Sequence, residues 1–317
     1  MIKPAALRPG DLVRLIAPSS PPVDETSLPQ AIRGLESLGY RIGYSPGIFR
    51  RHGFLAGRDE ERARDLEEAF ADPEVKAVFC LRGGYGSGRL LSRLDWEGVC
   101  SHPKVFLGFS DLTAISCGLW VEGGLVTFSG PVALSDLHDG KPIPASWEHA
   151  RSCFGSTKPI GSIFSHLFSR EGVRVISPGS ARGRLMGGNL SILCSLLGTP
   201  WQPDFAGSIL FLEDVAEPTY RIDRSLTQLG NAGVLSAVEG VTLGDFSYSE
   251  DRRRKDEKRG VQVLDEVLAD RLSGLGKPVV AGFPFGHIKP KATLPFGCMA
   301  TLDGERGDLV IEEGAVQ

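Results

Sequence analysis

Several features that would announce a function class are missing from this sequence of 317 residues. Its six cysteines (Cys80, Cys100, Cys117, Cys153, Cys194 and Cys298) form no C-x-x-C pair, which argues against zinc ribbons and thioredoxin-type redox chemistry. They fall mostly in apolar runs, so buried free thiols in a reducing compartment account for them better than disulfides. Basic charge is not in excess: 35 Lys and Arg stand against 39 Asp and Glu, a net charge of -4, whereas a nucleic-acid binder would present a basic face. No window approaches the roughly 18 consecutive apolar residues of a membrane span. Near the N-terminus Lys3, Arg8, Asp11 and Arg14 interrupt the apolar residues, and no signal-peptide core forms. H-E-x-x-H is absent, and His138, His149 and His166 stand at no metal-ligand spacing. No metal is expected, and these histidines are expected to be exposed and without a role. No internal repeat is visible. The expectation is a cytoplasmic protein with neither nucleic acid nor membrane as partner.

What is present is an ordinary globular composition, 41% hydrophobic and 23% charged, in a chain long enough for one large or two ordinary domains. Short apolar runs at 12–18, 40–44, 75–81, 105–109 and 125–131 alternate with helical patterns at 28–38, 59–71 and 89–94 and after residue 110. Strand and helix in alternation indicate a parallel sheet with helices on both faces, here over residues 1–135. The pattern dissolves over 136–179, which is rich in Pro, Gly, Ser and His with one helical patch near 147–154, and reads as a connecting region. A second domain, 180–317, carries helices at 190–197, 220–229 and 261–272. Its strands are expected at 208–214, 241–246 and 278–285, and its tail over 292–311 alternates as antiparallel strands do. The mixed charge run at 250–259 reads as a solvated loop or helix start. The fold class is α/β.

The chain turns on the stretch Val105-Phe106-Leu107-Gly108-Phe109-Ser110-Asp111-Leu112-Thr113, which reads as strand, tight turn and helix with a serine at the corner. A serine held there presents its Oγ above the end of a sheet, with a helix N-terminus behind it that favours developing negative charge. Serine is also a favoured helix N-cap, but the capping box would place Glu or Gln at 113, where Thr113 stands. The match to the hydrolase elbow G-x-S-x-G is partial: Gly108 fits and Leu112 replaces the second glycine. The preceding strand ends in Arg82-Gly83-Gly84-Tyr85-Gly86-Ser87-Gly88. Arg89 breaks the dinucleotide fingerprint, and no Walker lysine follows. Neighbouring parallel strands deliver this loop and Ser110 to one carboxyl edge, where ligands bind in open α/β sheets. The loop can therefore offer an oxyanion donor to chemistry at Ser110.

Ser110, Glu213 and His287 share one description, the carboxyl end of an apolar strand. A serine nucleophile needs a base, and the base needs an acceptor that fixes its tautomer. His287 could equally be a satisfied core histidine. Asp214 is as good an acid as Glu213, and because neighbouring strand residues point to opposite faces only one of them can serve.

Together Gly108-Phe109-Ser110-Asp111, the glycine loop, Gly187-Gly188-Asn189-Leu190, Phe211-Leu212-Glu213-Asp214 and Gly286-His287 resemble the muramoyltetrapeptide (LD-) carboxypeptidase family of serine peptidases, in order along nearly the whole chain. The resemblance implies an N-terminal α/β domain, a β-rich C-terminal domain, often a homodimer, and no cofactor. It implies a cytoplasmic enzyme that removes terminal D-alanine from murein tetrapeptide in peptidoglycan recycling, by cutting an L,D peptide bond. Ser110 would be the nucleophile, His287 the general base and Glu213 the orienting acid. The N–H groups of Asp111 and of Gly84 (or Gly83) would form the oxyanion hole. Arg82, Gly83 and Asn189 are the candidate substrate contacts, Arg82 because a guanidinium binds a free carboxylate through two hydrogen bonds. The sister activity, immunity peptidases that hydrolyse nucleotide-peptide antibiotics such as microcin C, is the alternative. A non-catalytic binding protein would not need all three residues, and a glutaminase-like amidotransferase would place cysteine at 110.

Overall fold

The computed structural model describes residues 1–23, 26–138, 140–164, 166–247 and 263–317. The charge run at 250–259 and the first residues of the helix expected at 261–272 lie outside them. Two sheets and their covering helices make up the fold, an α/β architecture as the sequence indicates.

The first sheet contains β1 (Leu12–Ile16), β2 (Arg41–Tyr44), β3 (Val75–Cys80), β4 (Val105–Leu107) and β5 (Thr127–Ser129), all parallel, in the order β5-β4-β3-β1-β2. The order reverses between β1 and β3, and in open α/β sheets such a switch point at the carboxyl edge is where ligands bind. Side chains on β3 alternate between two cores: Ala77 and Phe79 join a large cluster shared with the second sheet, while Val78 and Cys80 join a smaller one under the helices. The smaller cluster is closed by α2 (Asp59–Ala71), α3 (Trp96–Cys100) and α4 (Thr113–Gly123), with Leu66 and Phe70 one turn apart on the buried side of α2. α1 (Ser27–Glu36) covers the other face. In place of the helix expected at 89–94 there is one 3-10 turn, Ser87–Leu90, and further turns, because the run between the glycines and Asp95 is too short for a nucleated α-helix.

Residues 136–179 hold a small hairpin, β6 (Leu137–His138) with β7 (Lys141–Pro142), then α5 (Pro144–Phe154), β8 (Gly161–Ser162) and β9 (Arg174–Ser177). α5 packs against the first sheet, with Trp147 and Phe154 fully buried. His149 is likewise buried, which corrects the expectation of an exposed histidine; His166 is exposed as expected. The helix turns His149 inward because Ser146, Trp147, Ala150 and Cys153 share its apolar face.

The second sheet has four parallel central strands, β10 (Ser180–Asn189), β11 (Ser208–Val215), β12 (Gly240–Ser247) and β13 (Val279–Ala281). Antiparallel strands flank them: β9 beside β13, and β15 (Met299–Asp303), β16 (Asp308–Ile311) and β8 beyond β10. The helices α6 (Leu190–Leu196), α7 (Thr219–Asn231), α8 (Val234–Ala237) and α9 (Leu264–Leu272) connect the parallel strands. One strand changes sides. β14 (Leu294–Phe296) stands in sequence between β13 and β15 of the second sheet but pairs antiparallel with β5, at the edge of the first.

Candidate active site

Ser110 opens a 3-10 turn, Ser110–Leu112, that runs directly into α4. Its φ is 66°, a left-handed conformation uncommon for a residue with a Cβ and typical of a backbone forced to present a side chain. Leu112 resolves the imperfect elbow motif. Its Cδ1 lies 2.4 Å from where a Cβ on Gly108 would stand, so the first glycine makes room for a leucine where the motif has a second.

His287 lies in the loop between β13 and β14. Its Nε2 is 3.2 Å from Ser110 Oγ, and its Nδ1 is 2.6 Å from Glu213 Oε2. Glu213 sits near the end of β11 and is 2% exposed. A buried carboxylate is tolerated only when paired, and its pairing fixes a proton on Nδ1, which leaves the Nε2 lone pair to accept from the serine hydroxyl. Gly286, at φ 97°, allows the approach: a Cβ there would come within 2.7 Å of Glu213 Cβ. The imidazole also rests on the ring of Phe109, centroid to centroid 4.8 Å. Beneath that ring lies the ammonium of Lys291, 3.6 Å from its centroid and 3.1 Å from Asp136 Oδ1, with both charges buried. Burial lowers the pKa of Lys291, and the negative charges of Asp136 and Glu213 oppose that shift.

Asp214 faces the other way. It accepts from Asn189 Nδ2 at 3.1 Å and from the N–H and hydroxyl of Ser191 at 3.0 and 2.7 Å. The pleat of β11 therefore gives one acid to His287 and the other to the start of α6. Asn189, a candidate substrate contact, has its side-chain amide engaged within the chain: Oδ1 caps α6 by accepting from the Ile192 N–H, and Nδ2 donates to Asp214. Its backbone N–H donates to Thr113 Oγ1 at 3.0 Å, joining β10 to the start of α4.

The glycine loop lies against Ser110. A Cβ on Gly83 would stand 3.0 Å from Ser110 Cβ and 3.1 Å from its Oγ, and one on Gly84 would meet Ser20 Oγ at 2.3 Å. Bare backbone is what this spacing admits. The Asp111 carboxylate faces this loop, accepting from Ser19 Oγ at 2.5 Å and from the Ser87 N–H at 2.8 Å. Arg82 is partly exposed and makes no ion pair or hydrogen bond among the described residues. Among those residues no three His, Cys, Asp or Glu side chains gather as a metal would require. A polarised hydroxyl, a base with a fixed tautomer and nearby backbone N–H groups are what acyl transfer to serine needs.

Family models for the two LD-carboxypeptidase domains match this chain, the N-terminal domain over residues 13–130 and the C-terminal domain over 182–302. The chain belongs to the LD-carboxypeptidase family. As a member it is a hydrolase, a carboxypeptidase, built on the family's paired α/β domains. A probable murein peptide carboxypeptidase of Bacillus subtilis is 38% identical to this LD-carboxypeptidase over 98% of this chain and 95% of its own. The crystal structure of muramoyltetrapeptide carboxypeptidase from Oxalobacter formigenes superposes with a TM-score of 0.81 at 36% identity, covering 96% of this chain and 98% of that one. An MccF-like protein from Bacillus anthracis superposes with a TM-score of 0.86 at 30% identity, covering 99% and 100%.

Proposed function

We propose that this LD-carboxypeptidase is a serine enzyme that removes the terminal D-alanine from murein tetrapeptide in the cytoplasm, during peptidoglycan recycling. Ser110 Oγ attacks the carbonyl carbon of the L-configured residue as His287 Nε2 takes its proton. The tetrahedral oxyanion is held by the N–H groups of Asp111 and of Gly84 (or Gly83). Its collapse breaks the C–N bond, His287 returns the proton to the departing amine, and free D-alanine leaves an acyl-enzyme on Ser110. Water, deprotonated by the same histidine, then releases the tripeptide. Glu213 keeps the imidazole in the required tautomer and balances its positive charge in both steps. Arg82 binds the terminal carboxylate, and Asn189 acts from the end of β10 by shaping the neighbouring wall. A homodimer fits the family resemblance.

The observation that carries this reading is the single hydrogen-bonded line Ser110–His287–Glu213, assembled from the loops after β4 and β13 and the end of β11. The murein substrate is supported by the relatives named for it. Mass spectrometry after incubation with murein tetrapeptide should show loss of one D-alanine, and Ser110→Ala should slow it by about 10⁴-fold or more. Near-normal turnover in that variant would remove Ser110 from the mechanism. The likeness to an MccF-like protein favours a second reading, cleavage of aminoacyl nucleotide antibiotics. An intact tetrapeptide alongside a hydrolysed aminoacyl sulfamoyl nucleotide would select it.

A further inference from the structure

Arg62 is a charge in an unexpected place. It lies on the buried side of α2, with Ala63 and Leu66, and is 1% exposed. Aliphatic side chains would fill such a position without desolvating a cation, so its partners must explain it. Nη1 donates to two backbone carbonyls, those of Pro18 and of Gly86, the latter at 2.9 Å. Nη2 donates to Asp59 Oδ1 at 2.5 Å, and Asp59, 8% exposed, also accepts from Arg89 Nε and Nη2 at 2.9 and 2.7 Å.

Pro18 and Gly86 belong to the loops after β1 and β3, the two strands that flank the switch point of the first sheet. Arg62 ties them together from below. Above it the same loops are tied again, by Ser19 and Ser87 on the Asp111 carboxylate, by Ser87 Oγ donating to Asp111 O, and by the Tyr85 N–H donating to Ser20 Oγ at 3.3 Å. Three loops are thus joined around Ser110. A planar guanidinium with fixed N–H directions suits two carbonyls and a carboxylate at once, which a lysine ammonium does not.

We propose that the buried Asp59–Arg62 pair is the positioning device for the oxyanion donors, holding the glycine loop, and with it the Gly83 and Gly84 N–H groups, against Ser110. This rests on the reading of Ser110 as nucleophile. Arg62 touches none of the reacting atoms; it acts through the Gly86 carbonyl and the short stretch of backbone between Gly84 and Gly86. Oxyanion donors count in the transition state and little in the ground state. Their displacement therefore lowers kcat and leaves KM nearly unchanged.

The test compares Arg62→Lys and Asp59→Asn with wild type and Ser110→Ala on murein tetrapeptide, with active enzyme counted by a serine-reactive phosphonate in the three proteins that keep Ser110 and Ser110→Ala taken per mole of folded protein. Arg62→Lys should lower kcat by about 10- to 100-fold with KM within about threefold. Affinity for a peptidyl boronic acid, whose tetrahedral adduct uses the same donors, should fall by a similar factor, and affinity for the tripeptide product should hold. Asp59→Asn retains an acceptor for Nη2 while losing the charge. It should show the same split at about 3- to 10-fold, and it carries the test if Arg62→Lys does not fold. Wild-type kcat and boronic-acid affinity per active site in either folded variant, or kcat and product affinity falling together, overturns the proposal. Ser110→Ala separates the two levels. If it is inactive while the positioning variants behave as wild type, only this inference fails; if it turns over normally, the reading beneath it fails as well.

Discussion

Arg82 stands beside the glycine loop with its guanidinium free among the described residues, whereas Arg89, at the far end of the same loop, is engaged by Asp59. A free guanidinium at the rim of the proposed site matches the carboxylate that a carboxypeptidase must find. Arg82→Ala should reduce kcat/KM on a free-acid tetrapeptide by about 10- to 100-fold, the worth of a charge-assisted hydrogen bond, and barely affect the C-terminal amide. A variant that keeps the wild-type preference for the free acid would remove Arg82 from recognition. The single residues were unequally legible. Ser110 and His287 could be picked out because each closes an apolar run of the sequence close to a glycine, although the strands themselves stop earlier, at Leu107 and Ala281. The choice between Glu213 and Asp214 needed the pleat of β11 and the start of α6, which adjacent letters do not record. Arg62 was invisible for a different reason: arginine in an amphipathic helix normally marks the solvent side, and nothing local says that two loop carbonyls will cover it.

At the scale of elements, α5 holds the first sheet's edge through a histidine. His149 Nδ1 accepts the Thr293 N–H at 3.1 Å, which docks α5 onto the start of β14. Its Nε2 is buried without a partner among the described residues, beside the ring of Phe168. Burial pushes the pKa of His149 down to about 4 from 6.5. Between those values the unfolded chain binds the proton and the folded chain does not, so stability is lost as pH falls through the window and regained as it rises. From pH 7 to pH 4.5 this one group should account for about 2 kcal/mol. Denaturant unfolding of His149→Gln should show a loss over that range smaller by that amount; parallel curves for variant and wild type would rule the histidine out. Elements with unbroken periodicity, α2 and β3 above all, were readable to within a residue or so. β10 was not, because Gly187 and Gly188 interrupt its apolar pattern and the sequence there reads as the approach to α6. β9 was hidden in a Pro- and Gly-rich stretch as a short edge strand, whose partner supplies the pattern.

For the whole molecule the decisive feature is that one core serves both sheets. Phe79, Phe128 and Trp147 from the first sheet's side, with Phe296 of the exchanged strand, share a cluster with Phe211, Phe283 and Phe285. No helix among the described residues is long and apolar enough to cross a membrane. A continuous core and a shared strand predict one cooperative transition. Calorimetry should give equal calorimetric and van't Hoff enthalpies, with activity lost in the same step; two resolved transitions would contradict it. Alternation of strand and helix was enough to anticipate both α/β halves. It could not show which strands would pair, since β14 lies at 294–296 and finds its partner at 127–129.

That exchanged strand also bears on how such a chain can change over generations. The segment carrying His287 is strung between β13 in one sheet and β14 in the other. A first half inherited alone would arrive with β5 as a bare edge, an invitation to aggregate, and a second half alone would carry a strand with nowhere to lie. The two halves are therefore poor candidates for shuffling with foreign modules. Loops around such a scaffold tolerate change better than the strands they join, so a new substrate is most easily acquired at the rim, one surface segment at a time.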